Sequence, residues 1–261
     1  MTGRTCRSAP LFALAALLLA GSFSAHAFVS YINQAGRVLR WNLDSPSPFV
    51  HTNVVNRATK AVRYFVASDA YSAANRTNEL NAARACFAQW QSVPGTLLKF
   101  EEGGLAGAGV DINTADNTNV VFWAKTSTLV NGGLDDIRGL RGYTVAAFAD
   151  DNTLLEADIV LNGVDYPWFT EFGATERGDI FVESVLLHEI GHFIGLDHSP
   201  VGGATVTSGG PGIDAEAGLS SDEIAAVRAL YPQPFLYTTL GYLEGRVLLN
   251  GAGVFGAMVT A

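Results

Sequence analysis

The chain runs to 261 residues, 48% of them hydrophobic and only 16% charged, with a formal net charge of −9. That length accommodates one good-sized domain and a fragment of another, and the excess of acids argues against nucleic acid or anionic lipid as partners, because both select basic surfaces. Two cysteines are too few for a disulfide scaffold.

Residues 1–27 have the layout of a secretory signal peptide: Arg4 and Arg7, an apolar run from Leu11 to Ala20, and the small-x-small site Ala25-His26-Ala27. The run is too short to span a bilayer, and Leu19-Ala20-Gly21 is followed by Ser22 rather than a lipid-bearing cysteine. The expected product begins near Phe28 and is exported to the extracellular space or periplasm, without stable membrane insertion. Losing two arginines and no acid leaves 14 basic against 25 acidic side chains, a net of −11. Cys86 is then alone. With Leu80, Ala83, Phe87 and Trp90 around it at helical spacing, it reads as a buried, inert thiol.

Residues 28–60 form a polar, mixed N-terminal segment, in which Ser45-Pro46-Ser47-Pro48 marks a loop, Trp41 is available to pack onto the following domain, and His51 is solvated or caps a turn. Ala61 to Val66 is rich in β-branched and aromatic residues and predicts a strand, and Asn78 to Gln91 predicts an amphipathic helix that Pro94-Gly95 ends. Thr96 to Phe100 and Asn119 to Ala124 read as two more strands, with the Gly-rich stretch Gly103 to Gly109 as a loop between them. Tyr143 to Ala149 and Leu154 to Leu161 read as a hairpin turning at Asp150-Asp151-Asn152. Strands and helices in this mixture make an α+β domain. Calcium would suit the oxygens of Asp150, Asp151, Asp158 and Asp165, but their spacing is not that of an EF-hand, and solvated turn carboxylates are the simpler reading.

The most specific stretch is His188-Glu189-Ile190-Gly191-His192-Phe193-Ile194-Gly195-Leu196-Asp197-His198. A helix turns about 100° per residue, so His188 and His192 share a face about 6 Å apart, while Glu189 lies beside any ion they hold rather than on it. His198 cannot come from the same helix, which would carry it about 9 Å too far along the axis. The chain must therefore turn, and Gly195 can take the left-handed conformation the turn needs. Three histidines leave a fourth tetrahedral position for water, the arrangement of catalytic zinc. Composition alone produces this pattern in about one chain in a hundred thousand. The site helix is expected from about Asp179 to Ile194, with Asp179 in its first turn.

This motif, with Ser199 after the third histidine, resembles that of the metzincin metallopeptidases, in particular the matrixin branch related to the matrix metallopeptidases. Asp179-Ile180-Phe181 with Val185-Leu186-Leu187 resembles the approach to a matrixin site helix, and Leu219 through Tyr231-Pro232 resembles the closing helix of that domain. The resemblance implies a zincin fold over 61–232, with a twisted mixed sheet of about five strands and an antiparallel edge strand. The sheet would pack on an N-terminal helix and the site helix, and a C-terminal helix would follow. It further implies a ledge for extended polypeptide substrates at Thr144, Val145, Ala146, Ala147 and Phe148, and a pocket wall from 201–218. Where metzincins carry a methionine turn beneath the zinc, Ala204-Thr205-Val206 puts Val206 in the methionine's place, and no histidines remain for a second zinc site.

Residues 219–232 predict a last helix with Leu219, Ile224, Val227 and Leu230 on one face, Ser220 or Ser221 as its N-cap and Pro232 as its stop. Beyond it, Tyr242 to Val259 reads as two strands around Asn250-Gly251 and resembles the opening of a carboxypeptidase-regulatory β-sandwich repeat, which makes 233–261 the expected start of a further domain. The functional expectation is a secreted zinc endopeptidase with Glu189 as general base. Its rival is a secreted binding or adhesion protein whose peptidase-like domain has decayed.

Overall fold

The structure is a computed structural model that describes residues 28–171, 179–208, 218–236 and 248–253. The elements begin with β1 (Val29–Ser30), β2 (Val55–Asn56), β3 (Ala61–Ala67), α1 (Arg76–Gln91), β4 (Phe100–Ala106) and β5 (Val120–Ala124). Next come the short antiparallel pair β6 (Leu129–Val130) and β7 (Asp135–Asp136), then the hairpin of β8 (Gly142–Phe148) and β9 (Leu154–Asn162). The parallel pair β10 (Trp168–Phe169) and β11 (Ile180–Phe181) leads into α2 (Val182–Phe193), β12 (Leu196–Asp197), α3 (Ser221–Leu230), and β13 (Leu248–Leu249) with β14 (Ala252–Gly253).

The main sheet is mixed. Val62 N–H donates to Lys99 O on one edge of β3, while Arg63 N–H and Phe65 N–H donate to Val54 O and Asn119 O on the other. The order across the sheet is therefore β4, β3, β5, β9, β8, with β2 sharing the second edge of β3 ahead of β5. All these pairings are parallel except β2 with β3 and β8 with β9, which leaves β8 as the antiparallel edge. The central strand β5 is buried along its whole length, as its unbroken apolar run Val120-Val121-Phe122-Trp123-Ala124 requires. Helices α1 and α2 cover one face; Trp90 of α1 donates its indole N–H to Leu187 O, and Cys86 is buried against Glu183 O. Burial raises that thiol's pKa well above its ordinary value, in keeping with an inert cysteine.

Two boundaries differ from expectation. The strand expected at Thr96 to Phe100 starts only at Phe100 and runs into the glycine-rich stretch, because Thr96 and Leu97 are tied to Pro232 and Tyr231 instead. Gly103 is not a loop residue: a Cβ there would lie 2.2 Å from Phe65 Cζ, so the glycine lets an aromatic ring lie across the strand where the register shifts. The site helix begins at Val182 rather than Asp179, since Ile180 and Phe181 are spent on pairing with β10; Glu183 is the acid in its first turn.

The N-terminal segment belongs to the same core. Leu39, Trp41, Leu43, Val50, Val54 and Val55 cluster with residues of both helices, and β1 pairs with β12. The last helix starts at Ser220, whose hydroxyl accepts from Asp222 N–H while the Glu223 carboxylate accepts Ser220 N–H, a reciprocal cap. Asn250 and Gly251 both take positive φ in the turn between β13 and β14, as that dipeptide predicts. The remainder of the β-sandwich reading, the signal peptide and the half of the expected pocket wall at 209–217 lie outside the described residues.

Tyr231 ties three elements together: its hydroxyl donates to Ile194 O at 2.7 Å and accepts Trp41 N–H at 3.1 Å. Tyr231→Phe strands a buried carbonyl and a buried N–H, and should cost about 1–3 kcal/mol of stability. A urea midpoint equal to that of the parent protein would show that this tie carries no weight.

Candidate metal centre

His188 and His192 stand one turn apart on α2, and His198 returns to them after the bend at Gly195. The Nε2 atoms of His188 and His192 are 3.0 Å apart, and those of His188 and His198 are 3.2 Å apart. The protons of the first two rings are engaged elsewhere. His188 Nδ1 lies 2.9 Å from Thr205 O, and His192 Nδ1 lies 2.8 Å from Leu196 O. A carbonyl only accepts, so each Nδ1 carries the hydrogen and each Nε2 keeps a bare lone pair. Bare lone pairs this close repel one another unless a cation sits among them. The donor set therefore fits a divalent ion, and nitrogen ligands in this number suit zinc. Burial pushes the pKa of His188 down to about 3 and that of His192 down to about 4, which holds both rings in the neutral form a metal needs.

Among the described residues no other group of three or more His, Cys, Asp or Glu side chains converges in this way. His51 is exposed and its Nδ1 accepts Asn53 N–H, a local cap. Of the four aspartates considered for calcium, Asp158 corrects the expectation of a solvated turn residue. It is fully buried in β9, accepts N–H bonds from Asn113 and Val120, and has its pKa pushed up to about 7 by burial. Asp165 accepts from Gly139 N–H and Asn162, and Asp151 accepts from Thr153 N–H, so both serve as loop anchors.

The bend at Gly195 is built by residues far away in the chain. Its φ is +103°, and a Cβ there would meet Leu39 O at 2.3 Å. The last carbonyls of the helix would otherwise be orphans. Phe193 O accepts from the Trp41 indole, Ile194 O from the Tyr231 hydroxyl, and Gly195 O from Tyr31 N–H. Tyr31 also lines the cleft, with its hydroxyl 3.3 Å from His192 Nδ1. Beneath the helix, Val206 is buried with its Cγ2 where a Cβ of Gly191 would be, at 2.3 Å, so the glycine makes room for the apolar floor. The Val206 N–H donates to Glu223, which couples that floor to the cap of α3.

Glu189 is 4% exposed, and its carboxylate points at β8. Thr144 donates its hydroxyl to Oε2 at 2.6 Å, and Gly142 leaves the space that the carboxylate fills. Burial raises the Glu189 pKa to about 7 against the opposing pull of Thr144. The residues expected as a ledge, Thr144 to Phe148, make up most of β8, at the edge of the sheet. The cleft between this strand and the three histidines has a volume of about 570 Å³. Sequence reasoning missed Tyr31, Trp41, Gly142, Gly191 and Glu223 as parts of the site. Only the glycines and the Ser220–Glu223 spacing left any local signal, and none of them pointed at the histidines.

The Matrixin family model matches residues 56–232 of this chain. Metalloendoproteinase 1-MMP of Arabidopsis thaliana is 30% identical over 156 residues, which are 59% of this chain and 38% of that protein. The chain therefore spans well under half the length of that curated relative.

Two outcomes follow, the first for the metal-free protein. His188 and His192 take up protons at lower pH in the folded chain than their ordinary 6.5, so below that pH the unfolded chain holds more protons. Their contribution is intact above about 6.5 and lost as the pH falls towards about 3–4, so the melting temperature of the chelated protein should drop across that window and His192→Asn should flatten the drop. Gly195→Ala places a Cβ on Leu39 O in a left-handed conformation and should cost about 2 kcal/mol or more, with weaker zinc retention in competition with a chromophoric chelator.

Proposed function

The chain belongs to the matrixin family, and from that premise we propose that it is a secreted zinc-dependent endopeptidase that hydrolyses peptide bonds in polypeptides. The observation that carries the reading is the convergence of three imidazoles next to a buried carboxylate that is not one of the group. Zinc held by His188, His192 and His198 would supply a Lewis acid that polarises the scissile carbonyl and brings the pKa of a water towards about 7.

The rest is done by the chain. An extended peptide lies along the edge of β8, main chain to main chain, so affinity comes from the backbone and specificity from the pockets beside it. Glu189 takes a proton from the attacking water and delivers it to the leaving amine. A carboxylate whose pKa burial has brought to about 7 is matched to both halves of that transfer. Thr205 and Leu196 hold the proton-bearing edges of two imidazoles, so the ligand atoms need not search for their orientation. Val206 supplies the apolar floor that a methionine supplies in the metzincin pattern.

Export rests on the signal-peptide reading of residues 1–27, and among the described residues no helix is long and apolar enough to cross a membrane. We carry 61–232 as the catalytic domain, 28–60 as the segment that packs on it, and 233–261 as the start of a β-sandwich. Against the decayed-domain rival stands the retention of the base and all three ligands, which nothing but catalysis requires together.

Chelation should abolish cleavage of casein and stoichiometric zinc should restore it. Glu189→Ala should keep one zinc per chain while kcat/KM falls by about a thousandfold or more, whereas His192→Ala should lose the metal itself, as read by atomic absorption. A pure, zinc-loaded chain that leaves casein and a mixed peptide library intact would remove the peptidase reading.

A further inference from the structure

Side chains along a strand alternate between its faces, and β8 uses both. Tyr143 and Val145 pack against the smaller core on one side of the sheet. Gly142 and Thr144 meet Glu189 of α2 on the other. The Thr144 hydroxyl has one hydrogen to give. It lies 2.6 Å from Glu189 Oε2 and 3.2 Å from Glu189 O, and the shorter contact goes to the charged acceptor, which binds it more strongly. At Gly142 a Cβ would stand 2.6 Å from Glu189 Oε1 and 2.7 Å from its Cγ, so any larger residue displaces the carboxylate.

We propose that Thr144 is a positioning residue for Glu189: its hydroxyl fixes Oε2 while the absent Cβ of Gly142 leaves room for Oε1, so that Oε1 is the oxygen that receives and returns the proton. This rests on the peptidase reading above, in which Glu189 is the base. A glutamate carries rotatable bonds that an ordinary buried site leaves to packing alone, and a catalytic base displaced by about 1 Å costs about a hundredfold in rate. Here the strand whose outer edge receives the peptide is also the strand that holds the base. Substrate register and base position are therefore set by the same rigid element, and the threonine is a requirement of the chemistry rather than of the sheet.

The test uses the zinc-loaded full chain and a fluorogenic peptide. Thr144→Val keeps the shape and removes the donor. It should lower kcat about ten- to a hundredfold, leave KM within about twofold, and leave zinc content and melting temperature as in the parent protein. Thr144→Ser, which keeps the hydroxyl, should recover most of the loss. In a Glu189→Asp background the carboxylate is too short to reach Thr144, so adding Thr144→Val should change nothing further. A crystal structure of Thr144→Val should show the Glu189 carboxylate moved and the three histidines in place.

Several results overturn the proposal. They are an unchanged kcat in an active parent protein, an equal loss in the Glu189→Asp background, an unmoved carboxylate, or a Thr144→Val protein that sheds zinc or melts early, which would make the residue structural. A parent protein that binds zinc yet cleaves nothing removes the peptidase reading first, and this one with it.

Discussion

Two ring nitrogens with bare lone pairs, those of His188 and His192, held 3.0 Å apart with a third imidazole beside them, are an unfavourable arrangement that a cation relieves, and the surrounding structure imposes it. Two carbonyls, from Thr205 and Leu196, fix where the protons sit, and so fix which nitrogens face inward. Burial then keeps those rings neutral. None of these effects is large alone, but each removes a way in which the rings could avoid one another.

The constraint reaches far along the chain because the helix must stop at once after His192. Ending a buried helix leaves carbonyls without partners, and an indole and a backbone N–H from the N-terminal segment and a phenol from the end of α3 supply them. The N-terminal segment is thus a working part of the centre rather than a leader to it. Likewise the cap of α3 reaches through Glu223 to the turn that carries Thr205 and Val206, so the last helix braces both a histidine and the floor beneath it. Val206 comes up close against the helix because Gly191 carries no Cβ to stand in its way.

Close approach is the second theme. Gly103 admits the ring of Phe65, Gly142 admits the carboxylate of Glu189, and Gly195 admits Leu39 O. In each case the absent Cβ is where another group must be. The acids show the same economy: Asp158 and Glu156 sit buried in β9 and hold the loop from Asn113 to Val120 by its N–H groups.

The positions of His188, Glu189 and His192 were legible in the sequence because helical spacing is a local property, and so was the turn at Gly195, since only a few backbone conformations bring a third histidine back. The hairpin of β8 and β9, the cap at Ser220 and the burial of Cys86 were legible for the same reason: each is decided by residues within a few positions of one another. The extent of β4, the late start of α2, and the parts played by Tyr31, Trp41, Thr144 and Glu223 were not. Those depend on which segment lies opposite, and a partner 161 residues away, as His192 is from Tyr31, or 190, as Tyr231 is from Trp41, leaves no periodicity to read. The chain's own order determined the three histidines and the glutamate beside them; only tertiary packing decided what holds them still, because orienting a buried polar group takes a partner from elsewhere in the fold.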